Sequence, residues 1–229
     1  VDIKQVEVLP NREGMELRQK IQQRIVDLNE HQHVFIKTHN RYGAHEGLPL
    51  IRPDLTVGAV YLLRDPRDVA VSLTHHWSMT VDQVIEVMET DTIGTQPQIG
   101  QQIFEIMGSW SGHVRSWTQP KPKNTLVLRY EDCVADTFGT FGRLAKMLKL
   151  TNDDNVIREA VEATAFKNLK KQEEEHGFRE RPEKAKAFFR SGTAGGWRNV
   201  LRPQQVKRIE KAHSAMMQRF NYEPEFVDS

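Results

Sequence analysis

The chain has 229 residues, 38% apolar and 28% charged, with 14 glycines and 10 prolines, a composition that indicates an ordinary globular protein rather than a disordered or fibrous one. Lys plus Arg (32) nearly cancel Asp plus Glu (31), leaving a formal charge of +1, so no global field exists to hold nucleic acid or an anionic membrane, and any anion site must be local. Cys133 is the only cysteine, which excludes an internal disulfide and points to a reducing, cytoplasmic compartment.

No apolar run approaches the ~20 residues needed to span a bilayer, and no charged-then-apolar leader opens the chain, so a soluble protein without a membrane partner is expected. The first residue is Val rather than Met, which suggests a natural start further upstream.

From Glu13 to about Asn29, Leu17, Ile21, Ile25 and Leu28 recur at helical spacing and predict an amphipathic helix that buries this stripe. Val34 to Thr38 is β-rich and reads as a strand, and Val57 to Leu63 as a second one whose continuous apolarity implies burial on both faces. Asp65-Pro66 supplies an N-cap and a first-turn proline, so the strand ending at Arg64 should turn directly into a helix through about His76. Thr80 to Gln83 has the form of a capping box opening another helix.

Ile99, Ile103, Ile106, Trp110, Val114 and Trp117 predict a longer helix, stopped by Pro120 and Pro122. Thr125 to Arg129 is a further strand, Phe138 to Leu148 the helix after it, and Asp154 to Phe166 another helix. The charged run Lys167 to Lys186 reads as a solvated, partly mobile segment. A glycine-rich loop, Ser191 to Gly196, precedes a last helix opened by Pro203 and carrying Val206, Ile209, Met216 and Phe220. There is no internal repeat and no interdomain linker. Alternating strands and helices imply an α/β fold of one domain, residues 1–229, with a mostly parallel central sheet flanked by helices.

In such sheets ligands bind beyond the carboxyl ends of the strands, which directs attention to what stands there. Lys37 and His39, two apart in an extended segment, project to one face. Taken singly each is an ordinary surface group; together at a strand end they could serve one pocket. Arg64 stands where the following helix offers free N–H groups and the positive end of its dipole, and Ser72 could add a hydroxyl from the same helix. Mixed charge is also common at helix starts, and glycine-rich turns preceded by an arginine such as Arg190 are commonly only turns.

Nothing in the sequence has metal-ligand spacing, and it contains no GxSxG, GxGxxG or GxxxxGK[ST].

This combination resembles the sulfotransferases that use 3′-phosphoadenosine 5′-phosphosulfate (PAPS). Lys37-Thr38-His39 resembles that family's KTH segment. Tyr61 to Ser72 resembles its 3′-phosphate motif, R-[DN]-x-[KR]-D-x-x-x-S. Gly108-Ser109-Trp110 with Trp117, and then Arg129-Tyr130-Glu131-Asp132, follow in the expected order. Thr164-Ala165-Phe166-Lys167 resembles T-x-F-[KE], and Phe189 to Trp197 resembles the RKGxxGDW motif, with Ser191 in place of lysine and Gly196 in place of aspartate.

The resemblance implies a P-loop-NTPase-like sulfotransferase fold and transfer of a sulfuryl group from PAPS to a hydroxyl or amine of a small-molecule acceptor, releasing adenosine 3′,5′-bisphosphate. It makes His39 the general base, a role suited to imidazole with its ordinary pKa of about 6.5, and Lys37 the stabiliser of charge on the bridging oxygen. Arg64 and Ser72 would hold the 3′-phosphate, with Arg190, Ser191 and Gly192 closing over it. Tyr130, Thr164 and Phe166 would line the adenine pocket. Lys167 to Lys186 would be a lid, and acceptor contacts are expected there, around Asn40 to Leu50, and at Trp77.

One family feature is missing from the 229 residues. A PKSGTTW-like 5′-phosphosulfate loop should precede the KTH strand, and Val1 to Gln32 contains nothing like it. The expectation is that an N-terminal strand and loop lie outside the sequence given; the alternative, loss of part of the donor site, would abolish 5′ binding and catalysis. Other readings are a nucleotide or small-molecule kinase of P-loop-like fold, disfavoured by the absence of a Walker lysine, and a non-catalytic sulfotransferase-like binding protein. A homodimer is the default oligomer for a soluble enzyme.

Overall fold

A computed structural model describes residues 12–30, 34–94, 104–119, 122–181 and 185–226. The chain divides into two compact units, one formed by Val1–Ala59 with Val87–Thr125, the other by Val60–Glu86 with Leu126–Ser229.

In the first unit, helix α1 (Arg12–Asp27) packs on a small antiparallel hairpin of β1 (Ala44–His45) and β2 (Leu48–Pro49). Met15, Leu50 and Phe104 form its buried centre, flanked by Leu48 and Ile106. Polar side chains of α1 tie down the hairpin. Gln19 Nε2 donates to the Pro49 carbonyl (2.6 Å), and Gln22 Nε2 to that of Leu50 (2.9 Å). The helix is where its periodicity predicts, but its buried residues are Gly14, Met15 and Arg18, while Leu28 is 63% exposed. Periodicity finds a stripe; which stripe is covered depends on where the hairpin docks.

The expected strand Val34 to Thr38 is irregular, and its Phe35 is 67% exposed. A strand exists only by sharing its N–H and C=O groups with a neighbour, and among the described residues no strand is assigned to this segment. Lys37 and His39 therefore sit on chain outside any assigned strand, and the same-face argument from strand geometry does not hold.

The helix expected across Ile99 to Trp117 is also shorter. Ile99 and Ile103 lie outside the described residues, and Ile106 makes an isolated bridge with Gly94, so helix α4 is only Trp110–Thr118. Gly108 at φ +71° breaks helical propagation, and the Ser109 hydroxyl caps the new start by accepting from Gly112 N (3.0 Å).

In the second unit, β3 (Ala59–Leu63) and β4 (Thr125–Arg129) lie side by side in a small parallel sheet. Leu62 is 66% exposed while Leu63 is buried, so β3 alternates rather than being covered on both faces as its apolar run suggests. The observed architecture is thus α/β and mostly helical, with less sheet than the alternation of elements implies.

Helix α2 (Pro66–Trp77) begins where Asp65-Pro66 predicts, with the Asp65 carboxylate accepting from Arg67 N (2.9 Å). Helix α3 (Val81–Glu89) opens with the expected reciprocal bonds between Thr80 and Gln83. After β4 come α5 (Tyr130–Ala135), α6 (Thr137–Met147), which packs on α7 (Asp154–Ala163), and then α8 (Phe166–His176). The first half of the charged run is therefore helical, and its charged side chains other than Glu173 are exposed, as a solvated segment would have them. A 3₁₀ turn, Gly196–Asn199, leads to α9 (Pro203–Arg219), which packs on α2 and buries Val206, Ile209, Met216 and Met217.

Candidate functional site

Every candidate ligand residue from Arg64 to Gly192 belongs to the second unit, where β3 and β4 end together. Glu131 links the two strand ends. Its Oε1 accepts from Asp65 N (3.0 Å) and its Oε2 from the Tyr222 hydroxyl (2.8 Å), while Arg129 lies over the Tyr222 ring at 4.6 Å. Beneath the start of α2, Arg67 is buried (3% exposed). It donates to both Asp65 oxygens (2.7 Å to Oδ2), to Glu210 Oε1 (2.7 Å) and to the Glu223 carbonyl (3.1 Å), and stacks over Trp197 at 4.2 Å. Burial alone would lower the Arg67 pKa, but the two carboxylates outweigh it and hold the guanidinium above its ordinary value. This network joins α2, α9 and the 3₁₀ turn into a rigid base.

Arg64 stands on that base. Its guanidinium lies 4.3 Å from the Tyr130 ring centre, Nη2 donates to the Thr193 carbonyl (3.0 Å) and stands 3.8 Å from Asp68 Oδ2, and Nε is buried with no hydrogen-bond partner. A fixed guanidinium with an unused donor, at the N-terminal end of a helix, is suited to an incoming anion. Asp68 also shapes the glycine-rich loop, accepting from Gly195 N (2.6 Å) and Trp197 N (3.0 Å). A Cβ on Gly196 would lie 3.9 Å from Asp68 Oδ1.

Ser72 is exposed on α2, one turn before His75. Burial, and then the Arg190 charge, push the His75 imidazole down. Phe166 begins α8 with its ring against the loop: a Cβ on Gly192 would fall 2.5 Å from that ring, and Gly192 has φ +63°. Gly192→Ala is expected to cost about 1–2 kcal/mol from the left-handed backbone alone, plus the displacement of Phe166. Thermal melting should drop by roughly 2–4 °C per kcal/mol, and an unchanged melting temperature would show that the loop relaxes freely. Ser191 is exposed, and Thr164, at the end of α7, donates its hydroxyl to the Ala160 carbonyl (2.7 Å). The structure thus brings together Arg64 with Tyr130 and Phe166 with Gly192. Ser72 and Arg190 are both exposed, and the Thr164 hydroxyl is committed to its own helix.

Lys37 and His39 belong to the first unit. There the Glu105 carboxylate accepts from the His39 backbone N–H (2.6 Å) and from the Thr38 hydroxyl (3.2 Å). Asn40, buried, accepts from Ile106 N (2.9 Å) through its side chain and from Trp117 Nε1 (3.1 Å) through its carbonyl. His113 Nε2 lies 3.2 Å from the His39 carbonyl oxygen, to which it donates in the Nε2-protonated tautomer. Burial pushes the His113 imidazole down. The exposed side chains of Lys37 and His39 are thus carried on a backbone held by Glu105 and His113, neither of which stood out in the sequence because Glu105 was read into a helix that is not there. Asn40 and Leu50, which bound the segment expected to contact the acceptor, are both buried.

The sulfotransferase domain family model matches residues 3–221. The chain belongs to the sulfotransferase domain family. Sulfotransferase 2A6 of Rattus norvegicus is 30% identical over 173 residues, covering 70% of this chain and 57% of that protein. Cytosolic sulfotransferase 17 of Arabidopsis thaliana is 29% identical over 166 residues, covering 66% and 46%. The chain spans about half the length of these curated relatives.

Two solved structures share the fold. One is mouse sulfotransferase SULT7A1 complexed with PAP (TM-score 0.60, 21% identity, 78% of this chain and 64% of that one). The other is retinol dehydratase with androsterone and the inactive cofactor PAP (TM-score 0.63, 24% identity, 97% and 66%).

Among the described residues of this sulfotransferase domain, no helix is long and apolar enough to cross a membrane, and no group of three or more His, Cys, Asp or Glu could hold a metal ion.

Proposed function

We propose that this chain is one sulfotransferase domain that transfers a sulfuryl group from PAPS to a hydroxyl or amine of a small molecule. The observation that carries the reading is Arg64: a guanidinium fixed between the Tyr130 ring and the Thr193 carbonyl, with a buried Nε lacking a partner, at the start of α2. Its support comes from the family membership and from neighbours of the same fold whose structures contain PAP.

In this reading Arg64 and Ser72 hold the 3′-phosphate, Arg190, Ser191 and Gly192 cover it, and Tyr130, Thr164 and Phe166 border the adenine. The acceptor oxygen or nitrogen forms a bond to sulfur as the bond from sulfur to the 5′-phosphate oxygen breaks. His39 takes the acceptor proton, Lys37 offsets the charge growing on the departing oxygen, and adenosine 3′,5′-bisphosphate leaves. The protein's work is positioning and charge neutralisation, as in phosphoryl transfer.

Calorimetric titration of the full-length protein tests the donor class. Adenosine 3′,5′-bisphosphate should bind at least about tenfold more tightly than AMP or ADP, since a charge-assisted contact contributes ~1.5–3 kcal/mol. Arg64→Ala should remove that advantage and barely alter AMP. Equal affinity for all three nucleotides in the unaltered protein would overturn the assignment.

A further inference from the structure

Three consecutive acidic residues, Glu173 to Glu175, occupy the second half of α8, and they have different fates. Glu174 and Glu175 are exposed, whereas Glu173 is only 4% exposed. Its carboxylate faces the chain returning from the end of the helix. Oε1 accepts from Phe188 N (2.7 Å) and Oε2 from Phe189 N (2.9 Å), and Arg181 Nη1 stands 3.9 Å from Oε1. Burial pushes the Glu173 pKa up, but the two amides and Arg181 outweigh it and hold the carboxyl below its ordinary range.

The same helix face grips the returning chain at a second point. Phe166 and Glu173 are seven residues apart, two turns of helix, so both side chains share one face of α8. The Phe166 ring is edge-on to Phe189 at 6.2 Å and closes against Gly192. Between these grips, the rings of Phe178, Phe188 and Phe189 pack on one another, with centres 4.6 to 5.2 Å apart. Arg190 and Ser191 are exposed and lie directly after the two residues whose amides Glu173 holds.

We propose that Glu173 is a positioning residue for the 3′-phosphate loop: its carboxylate latches the Phe188 and Phe189 backbone to α8 and so sets where Arg190, Ser191 and Gly192 stand. The inference rests on the donor-site reading above. Glutamine fills the same volume but offers one acceptor oxygen and one NH₂ group, so Glu173→Gln leaves one buried amide unpaired and sets donor against donor. Alanine scanning of the loop would not reveal the latch, because Glu173 lies on α8, outside the loop.

The test is titration of unaltered protein, Glu173→Gln, Glu173→Asp and the exposed control Glu174→Gln with adenosine 3′,5′-bisphosphate and with AMP. Glu173→Gln should bind the bisphosphate about tenfold more weakly while its AMP affinity stays unchanged, the loss expected of one misplaced charge-assisted contact. Glu174→Gln should match the unaltered protein. If Glu173→Gln does not fold, Glu173→Asp, which keeps the charge at shorter reach, should show a smaller loss confined to the bisphosphate.

Retention of the full bisphosphate preference in whichever Glu173 variant folds would overturn the latch and leave the donor site standing. Equal weakening of AMP and bisphosphate would also overturn it, since that marks a general structural role. No preference in the unaltered protein would instead sink the donor reading itself, and the latch with it.

Discussion

Replacing His39 with alanine is expected to lower turnover by about 10²–10⁴ while leaving adenosine 3′,5′-bisphosphate binding nearly intact, because a general base acts only as the acceptor's proton is lost. The variant should fold. The His39 imidazole is exposed, and the contacts that hold this stretch of chain run through the His39 backbone N–H and carbonyl, which alanine retains. A steady-state comparison with one acceptor at saturating PAPS, together with a bisphosphate titration, reads both quantities. Turnover comparable to the unaltered enzyme would remove His39 from the chemistry. A parallel loss of bisphosphate affinity would place its role in binding instead.

The second large effect concerns stability. Arg67→Met removes the cation from a buried site where Asp65 and Glu210 remain, each less than a tenth exposed. Breaking a buried ion pair from one side costs about 3–5 kcal/mol, since the surviving carboxylates lose their cation and keep only backbone donors, Arg67 N for Asp65 and the Glu225 and Phe226 N–H groups for Glu210. Methionine preserves the packing against Trp197 in part, so the loss measures charge more than volume. For a chain of this size the melting temperature should fall by roughly 6–20 °C. A single-variant cost below about 1 kcal/mol would mean that solvent reaches the network freely.

Much of the second unit was legible because its signals are local. Asp65 and Pro66 specify the start of α2 within one turn, Thr80 and Gln83 that of α3, and Pro203 that of α9, and each works through contacts between near neighbours in sequence. Arg64 follows from the same reasoning: a cation at the junction of strand and helix stands where a helix presents its free amides. The residues that hold Arg64's surroundings were less visible. Asp68 looks like an ordinary first-turn acid, yet it ties the glycine-rich loop to α2 across more than a hundred residues of chain.

Errors concentrated where a non-local partner decides the outcome. Val34 to Thr38 has strand propensity, but propensity adds only a little to pairing, and no strand is assigned to it among the described residues. The stripe from Ile99 to Trp117 fits one helix on paper, whereas Gly108 and Ser109 interrupt it in space and leave Glu105 free to hold the His39 backbone. In α8 the run of charge concealed a buried residue. No pattern within Lys167 to Lys186 distinguishes Glu173 from Glu174 and Glu175, because the distinction comes from the amides of Phe188 and Phe189, which return to it from beyond the end of the helix.

Caps, prolines and the ordered blocks of motif residues were written in the chain itself and determined the helix starts, the α/β character and the family, since each acts over one or two turns. Tertiary structure alone decided which faces are covered, which acids are buried, and which amides they hold. Burial and hydrogen-bond partnership belong to pairs of segments far apart in sequence, and the free energy of a group depends on what arrives beside it.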